Sequence, residues 1–159
     1  MDESTSKEDM EILFKQLKRL TKVAPVYYVY GNRENKTKFS RTKLNQEITK
    51  NNIIILNDQE VHFNNITLIG RKDYANKNRK KTKDFNLTNK TYNIVLDHQP
   101  QGTKENIKNN IDLQLSGHTH NSQMFPLSFS YHLQSDFAGN YGKETFKHHT
   151  KIISSGLVG

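Results

Sequence analysis

The chain of 159 residues contains no cysteine, and only 33% of its residues are hydrophobic. The lack of cysteine excludes thiolate metal ligands and disulfide bonds. The sequence has no run of about eighteen apolar residues and no apolar signal core at its N-terminus, so it predicts no membrane span and a cytoplasmic protein. The low hydrophobic fraction predicts one domain with little core material, an exposed apolar sheet edge and association with another chain.

Acidic residues are also scarce relative to basic ones. The 24 lysines and arginines exceed the 16 acidic residues, which gives a formal net charge of +8. Positive charge favours anionic partners, including nucleic acid. The densest basic segment, residues 77–83, lies between predicted strands, where lysine-rich loops are usually solvated surface. A nucleic-acid-binding module is therefore the weakest functional hypothesis, although the same charge would attract an anionic substrate.

Two histidines two residues apart follow a predicted strand. Residues 111–115 alternate apolar and polar side chains, as is typical of a half-buried strand, and Gly117 allows a tight turn after it. In extended backbone, His118 and His120 would point in similar directions. Such a pair is either two polar loop histidines or two metal ligands.

Two other predicted strands lead into similar residues. Residues 92–96 run into Asp97 and His98, and residues 26–30 run into Gly31 and Asn32. Sites in open α/β sheets lie at the C-terminal ends of the strands. Asn32, His98, His118 and His120 together offer oxygen and imidazole donors suited to Mn, Fe or Zn. For Asp97, the sequence favours a solvated carboxylate over a partner of the neighbouring histidine.

Three motifs resemble those of the calcineurin-like metallophosphoesterases. Gly31-Asn32-Arg33-Glu34 resembles the family's G-N-H-[DE] motif, Asp97-His98 resembles its isolated strand-end histidine, and Gly117-His118-Thr119-His120 is similar to its G-H-x-H motif. The Gln123 and Ser155-Gly156-Leu157 contexts resemble the bacterial phosphodiesterase branch. The resemblance implies an α/β fold, namely a four-layer α/β/β/α sandwich, of which residues 1–159 would be the C-terminal part of a single domain.

The resemblance also implies a function, a partner and cofactors. Family members are metal-dependent phosphoesterases or phosphodiesterases, hydrolases in which two divalent ions bind the phosphoester substrate and activate a water. Carried over position by position, Asn32, His98 and His118 would bind one ion, and His120 would bind the other.

The chain departs from the family pattern at its start. The family's D-x-H and G-D-x-x-D motifs do not occur, although Asp2 matches the final aspartate of the second. We therefore expect the first strands of the fold to be missing, or to be supplied by an N-terminal half on another chain, together with the membrane anchor that relatives often carry there. Without the bridging carboxylate, we expect at most one weakly held metal.

A second departure is Arg33, which replaces the histidine of G-N-H-[DE]. Arginine can bind a phosphate but stays protonated, so it cannot serve as a general acid. We therefore assign no catalytic residue and expect impaired activity. The alternative hypothesis is a non-catalytic remnant or pseudoenzyme that binds one metal or a partner.

The remaining periodicity predicts one α/β unit without repeats. Residues 5–22 read as an amphipathic helix with Met10, Leu13, Phe14, Leu17 and Leu20 on its buried stripe. Residues 124–150 are irregular and aromatic, with a buried hairpin favoured over a substrate-binding role, and His148 and His149 are expected to be exposed. The other predicted elements are helices at 41–51 and 104–110 and strands at 53–56, 60–63, 66–69 and 152–156.

Overall fold

The computed structural model describes residues 4–119 and 141–155. These residues form an α/β fold, as the sequence predicts, and none of their helices is long and apolar enough to cross a membrane. The helices are α1 (Lys7–Leu17), α2 (Arg41–Lys50) and α3 (Thr103–Lys108). The strands are β1 (Val26–Tyr28), β2 (Ile53–Ile55), β3 (Gln59–Phe63), β4 (Ile66–Gly70), β5 (Tyr92–Leu96), β6 (Leu113–Ser116), β7 (Gly142–Phe146) and β8 (His149–Ile153).

The strands form two sheets. Strands β1 and β2 pair in parallel, and the other six follow the order β3-β4-β5-β6-β8-β7. In the larger sheet β4, β5, β6 and β8 run parallel, while β3 and β7 are antiparallel edge strands. The C-terminal ends of the parallel strands consequently lie at one edge, where open α/β sheets carry their sites.

The smaller sheet is covered by α1 and α2. Met10 and Phe14 of α1, Leu44 and Ile48 of α2, and Ile53 of β2 are fully buried in one cluster. Their burial removes apolar surface from water, which is the main force that holds the helices on this sheet.

The predicted helix at residues 5–22 is too long. Helix α1 ends at Leu17, and a separate 3₁₀ turn covers Leu20–Lys22. Leu20 lies in this separate turn and is exposed, and Leu13 is exposed although it lies within α1, so neither belongs to the buried stripe. The N-terminal cap is Ser6, whose hydroxyl accepts a hydrogen bond from the Asp9 backbone N–H at 3.0 Å.

The two sheets are in contact at the end of β4. A Cβ atom placed on Gly70 would lie 2.1 Å from Leu56 Cβ and 2.9 Å from Val29 Cγ1, so only glycine fits there. Ile69 and Val95 lie in a second core with Phe85. This contact brings the loop after β1 close to the C-terminal edge of the larger sheet.

Two predictions for the C-terminal region need correction. The described part of residues 124–150 contains an antiparallel hairpin of β7 and β8, which agrees with the favoured prediction of a hairpin, but β8 begins at His149, three residues before the predicted strand. His149 is fully buried, not exposed, and its ring Nδ1 lies 2.8 Å from the Ile111 carbonyl oxygen. A strand position between β6 and β7 leaves no solvent around this imidazole.

Burial makes stability sensitive to acid through His149. Burial lowers the pKa of His149 below its ordinary value of 6.5, and the nearby charges of Lys151 and His148 act in the same direction. The unfolded chain therefore takes up a proton at a higher pH than the folded one does. The free energy of unfolding should fall as the pH drops below about 6.5, down to the folded-state pKa. Urea unfolding between about pH 8 and 5 measures this slope.

The matched variants for this test are His149→Asn and His148→Asn. Asparagine at 149 can still donate to the Ile111 carbonyl but does not titrate, so part of the acid slope should disappear. His148 is adjacent but exposed, and its charge only adds to the larger effect of burial, so its replacement should leave most of the slope in place. Identical slopes for wild type and His149→Asn would contradict the assignment.

Candidate functional site

Three of the four predicted ligand residues meet at the strand ends. Asn32 follows β1, His98 follows β5 and His118 follows β6, and all three side chains are half-buried. Asn32 Oδ1 lies 3.0 Å from His98 Nε2 and 3.3 Å from His118 Nδ1, and the two ring nitrogens are 3.2 Å apart. We call these three atoms the Asn-His-His triangle. The fourth residue, His120, lies outside the described residues.

The two histidine loops are fixed by backbone hydrogen bonds. The Asp97 N–H donates to the Leu115 carbonyl at 3.1 Å, and the Gly117 N–H donates to the His98 carbonyl at 3.0 Å. The parallel pairing of β5 with β6 thus continues into the site. As a result, the spacing of His98 and His118 is set by the sheet.

The Asn32 loop is closed by Glu34. One Glu34 oxygen accepts the Gly31 N–H at 2.9 Å, and the other accepts the Tyr28 hydroxyl at 2.9 Å. Burial and the Glu34 charge raise the pKa of Tyr28, so the phenol keeps its proton and donates. The sequence analysis assigns no role to Glu34, although the acidic residue that ends the G-N-H-[DE] motif could have indicated one.

Gly31 is needed because the His98 ring lies against it. A Cβ atom at position 31 would lie 2.8 Å from His98 Nε2 and Cε1, closer than side-chain atoms can approach. We expect Gly31→Ala to displace His98 and break the Asn-His-His triangle. A ¹H–¹⁵N correlation of the imidazole rings should show shifted His98 and His118 signals.

Gly117→Ala provides the matched control. A Cβ atom there would meet nothing closer than the Ser154 carbonyl oxygen at 4.0 Å, so alanine fits. The same imidazole signals should stay in place in this variant. If both variants shift the signals equally, the close approach at Gly31 is not the cause.

Asp97 is a buried ion-pair partner, and the prediction of a solvated carboxylate is wrong. Its side chain is 1% exposed and forms a two-pronged salt bridge with Arg79, with Arg71 Nη1 at 4.0 Å. Burial raises the pKa of Asp97, and the charges of Arg79 and Arg71 oppose that rise. The lysines of residues 77–83 are exposed, as the sequence predicts, but the Arg79 side chain in the same segment is only 8% exposed.

The segment that follows β4 also binds Gln99, the residue after His98. The Gln99 amide donates to Asp73, and the Tyr74 N–H donates to Gln99 Oε1 at 3.1 Å. Residues before and after His98 are therefore both bound to the segment that follows β4. No periodicity or motif in the sequence marks Arg79, Asp73 or Gln99 for this role.

The family model for calcineurin-like phosphoesterases matches residues 2–122. The chain belongs to this family. Its members are phosphoester hydrolases that generally use divalent metals. Over 115 residues the chain is also 36% identical to a protein of Helicobacter pylori (strain ATCC 700392 / 26695) described as an uncharacterized metallophosphoesterase. That match covers 66% of this chain but 30% of the relative, so the chain spans less than a third of the relative's length. The search of solved structures gave no significant match.

The phosphoesterase match includes all three motif loops, and the predicted family is confirmed. Within residues 4–119 and 141–155, no three His, Asp or Glu side chains lie close enough together to hold a metal ion. The third corner of the Asn-His-His triangle is instead an amide oxygen. Arg33 is exposed and follows Asn32 directly, at the start of the 3₁₀ turn Arg33–Asn35.

Proposed function

We propose that this phosphoesterase chain binds one divalent ion through Asn32, His98 and His118 and takes part in metal-dependent hydrolysis of a phosphoester. The observation that carries the proposal is the size of the Asn-His-His triangle. Ligands about 2.1 Å from a metal ion are separated by about 3.0 Å at right angles and about 3.4 Å at the tetrahedral angle. The three measured sides, 3.0, 3.2 and 3.3 Å, fall in that interval.

The chemistry of the donors also fits a metal. Two imidazole nitrogens and an amide oxygen suit borderline ions such as Mn, Fe or Zn. All three donors are neutral, so they do not compensate the charge of the ion, and one weakly held metal is the expected occupancy. His120 corresponds to a ligand of the family's second ion, which this chain is not expected to hold.

The bound metal would supply Lewis acidity and an activated water. Glu34 holds the Asn32 loop, and the pairing of β5 with β6 holds both imidazoles in register. Arg33, next to Asn32, would bind the phosphate oxygens, because a guanidinium forms paired hydrogen bonds with them. It offers no proton to a leaving group. In this proposal residues 1–159 act as part of one phosphoesterase domain.

Titration calorimetry with Mn²⁺ and Zn²⁺ tests the metal site directly. We expect one binding event, weakened at least about tenfold by His98→Ala, since even residues that only support a ligand matter this much. His62→Ala is the control, because His62 lies on β3 with a half-exposed side chain. Equal affinities for wild type and His98→Ala would overturn the proposal, and two tight sites would overturn the single-metal occupancy.

Arg33 favours a second candidate, a chain that binds metal without turnover. Hydrolysis of bis(p-nitrophenyl) phosphate with saturating metal separates the two. If the missing general acid limits the rate, Arg33→His should raise it by up to about 10²–10⁴-fold. No hydrolysis by either form, with metal binding intact, would favour the non-catalytic candidate.

A further inference from the structure

A cleft of about 570 Å³ is lined by residues of segments that are connected to the loops of the Asn-His-His triangle. One wall includes Tyr30, two residues before Asn32. The lining also includes Asp73, whose carboxylate accepts a hydrogen bond from Gln99, the neighbour of His98. Two lining residues are therefore connected to the loops that form the triangle. We call this space the basic cleft.

Cationic side chains dominate the lining of the basic cleft. Among the residues that the structure describes, Arg41, Lys72 and Lys77 line it together with one acidic residue, Asp73. The Asp73 oxygens already accept the Ala75 N–H at 3.0 Å and the Gln99 amide. These neutral donors do not cancel the charge of Asp73, but three cations against one carboxylate still leave the lining with an excess of positive charge.

The cations differ in how firmly they are held. The Arg41 guanidinium lies 3.8 Å from the centre of the Tyr30 ring, and the Tyr30 hydroxyl donates to Asn45. This stacking fixes a planar donor group at the wall. Lys72 Nζ lies 3.4 Å from buried Asp58, which partly compensates its charge, whereas Lys77 is exposed. Amide groups of Asn45, Asn57 and Asn76 also line the cleft.

We propose that the basic cleft binds a second anionic group of the substrate, phosphate in chemistry. The substrate would then be a phosphoester that carries a further phosphate. The inference rests on the proposed function for the group that is hydrolysed, but anion binding in the cleft needs no metal. The planar guanidinium of Arg41 and the ammonium groups of Lys72 and Lys77, together with the asparagine amides, can all donate hydrogen bonds to phosphate oxygens.

The test is binding of inorganic pyrophosphate to the full chain with all metal removed by EDTA. Calorimetry at low salt should show one site that weakens as salt is added. We expect Lys77→Gln to weaken binding about threefold and Arg41→Gln about tenfold, as for exposed and partly buried charge pairs. Lys77 is exposed, so its replacement should not disturb folding.

Lys90→Gln is the matched control, because Lys90 is an exposed lysine that precedes β5 at the opposite end of the strands. His98→Ala should also leave pyrophosphate binding unchanged. If the metal titration shows no binding, the proposed function is contradicted, but the pyrophosphate result still stands. Equal binding by the Lys77→Gln and Lys90→Gln variants would overturn the cleft proposal while leaving the metal site standing.

A second binding experiment distinguishes a phosphate group on a soluble substrate from one on a lipid. Vesicles of phosphatidylcholine with phosphatidic acid, compared with pure phosphatidylcholine vesicles, present the group on a lipid. Binding that depends on Lys77 supports the proposal with either probe and assigns the group to a soluble or a lipid-borne substrate. Absence of such binding with both probes overturns it.

Discussion

Replacing Arg79 with methionine should lower the free energy of unfolding by about 3–5 kcal/mol, the usual cost of removing one partner of a buried ion pair. Arg79 forms two hydrogen bonds with Asp97, whose side chain is 1% exposed, and also donates to the Lys72 carbonyl. Without Arg79, the carboxylate stays buried, and its remaining partners include Arg71 at 4.0 Å and the Gln99 backbone N–H. Urea unfolding at neutral pH measures the loss.

The stability loss caused by Arg79→Met should become smaller as the pH falls, whereas acid ordinarily lowers the stability of a protein. Burial already raises the pKa of Asp97, and removing Arg79 removes the largest opposing charge. The folded variant would then bind a proton more readily than the unfolded chain does. Its free energy of unfolding should therefore recover part of the loss as the pH falls through the raised pKa.

Lys77→Met is the control in the same loop. Lys77 is exposed, so its replacement should change stability by no more than about 0.5 kcal/mol. Arg79→Lys keeps the charge but not the paired geometry, and it should fall between the two. A loss below about 1 kcal/mol for Arg79→Met would mean that the ion pair does not hold this loop.

The site is predictable from sequence where the signal is local. A strand followed by glycine and a polar residue is readable over a few residues, and it correctly predicts that Asn32, His98 and His118 lie at strand ends. The convergence of His98 and His118 follows from the parallel pairing of β5 with β6, whereas Asn32 comes from the other sheet. The family motifs add the order of the ligands.

The supporting contacts are not predictable because they join distant positions. Arg79 and Asp97 are 18 residues apart, and His149 and Ile111 are 38 apart. A charged residue in a basic run looks solvated until the fold places a buried carboxylate beside it. Likewise, His149 looks exposed until β8 is inserted between β6 and β7, which no local pattern indicates.

His118→Gly should abolish metal binding while leaving the free energy of unfolding within about 1 kcal/mol of wild type. His118 has φ +73°, in the left-handed region, where a residue with a side chain pays about 1–2 kcal/mol and glycine does not. Loss of the half-buried imidazole and its contacts with Asn32 and His98 offsets that gain. Titration calorimetry and urea unfolding on the same preparation give both quantities.

Lys147→Gly isolates the backbone part of this effect. Lys147 is exposed in the turn between β7 and β8 and has φ +54°, so glycine should raise stability there without changing metal affinity. If His118 were only a structural loop residue, His118→Gly would behave like Lys147→Gly and bind metal normally. A stable His118→Gly protein that no longer binds metal would instead mean that the strained backbone is kept for its imidazole. Strain of this kind is concentrated at functional sites, where a ligand must be held in one orientation.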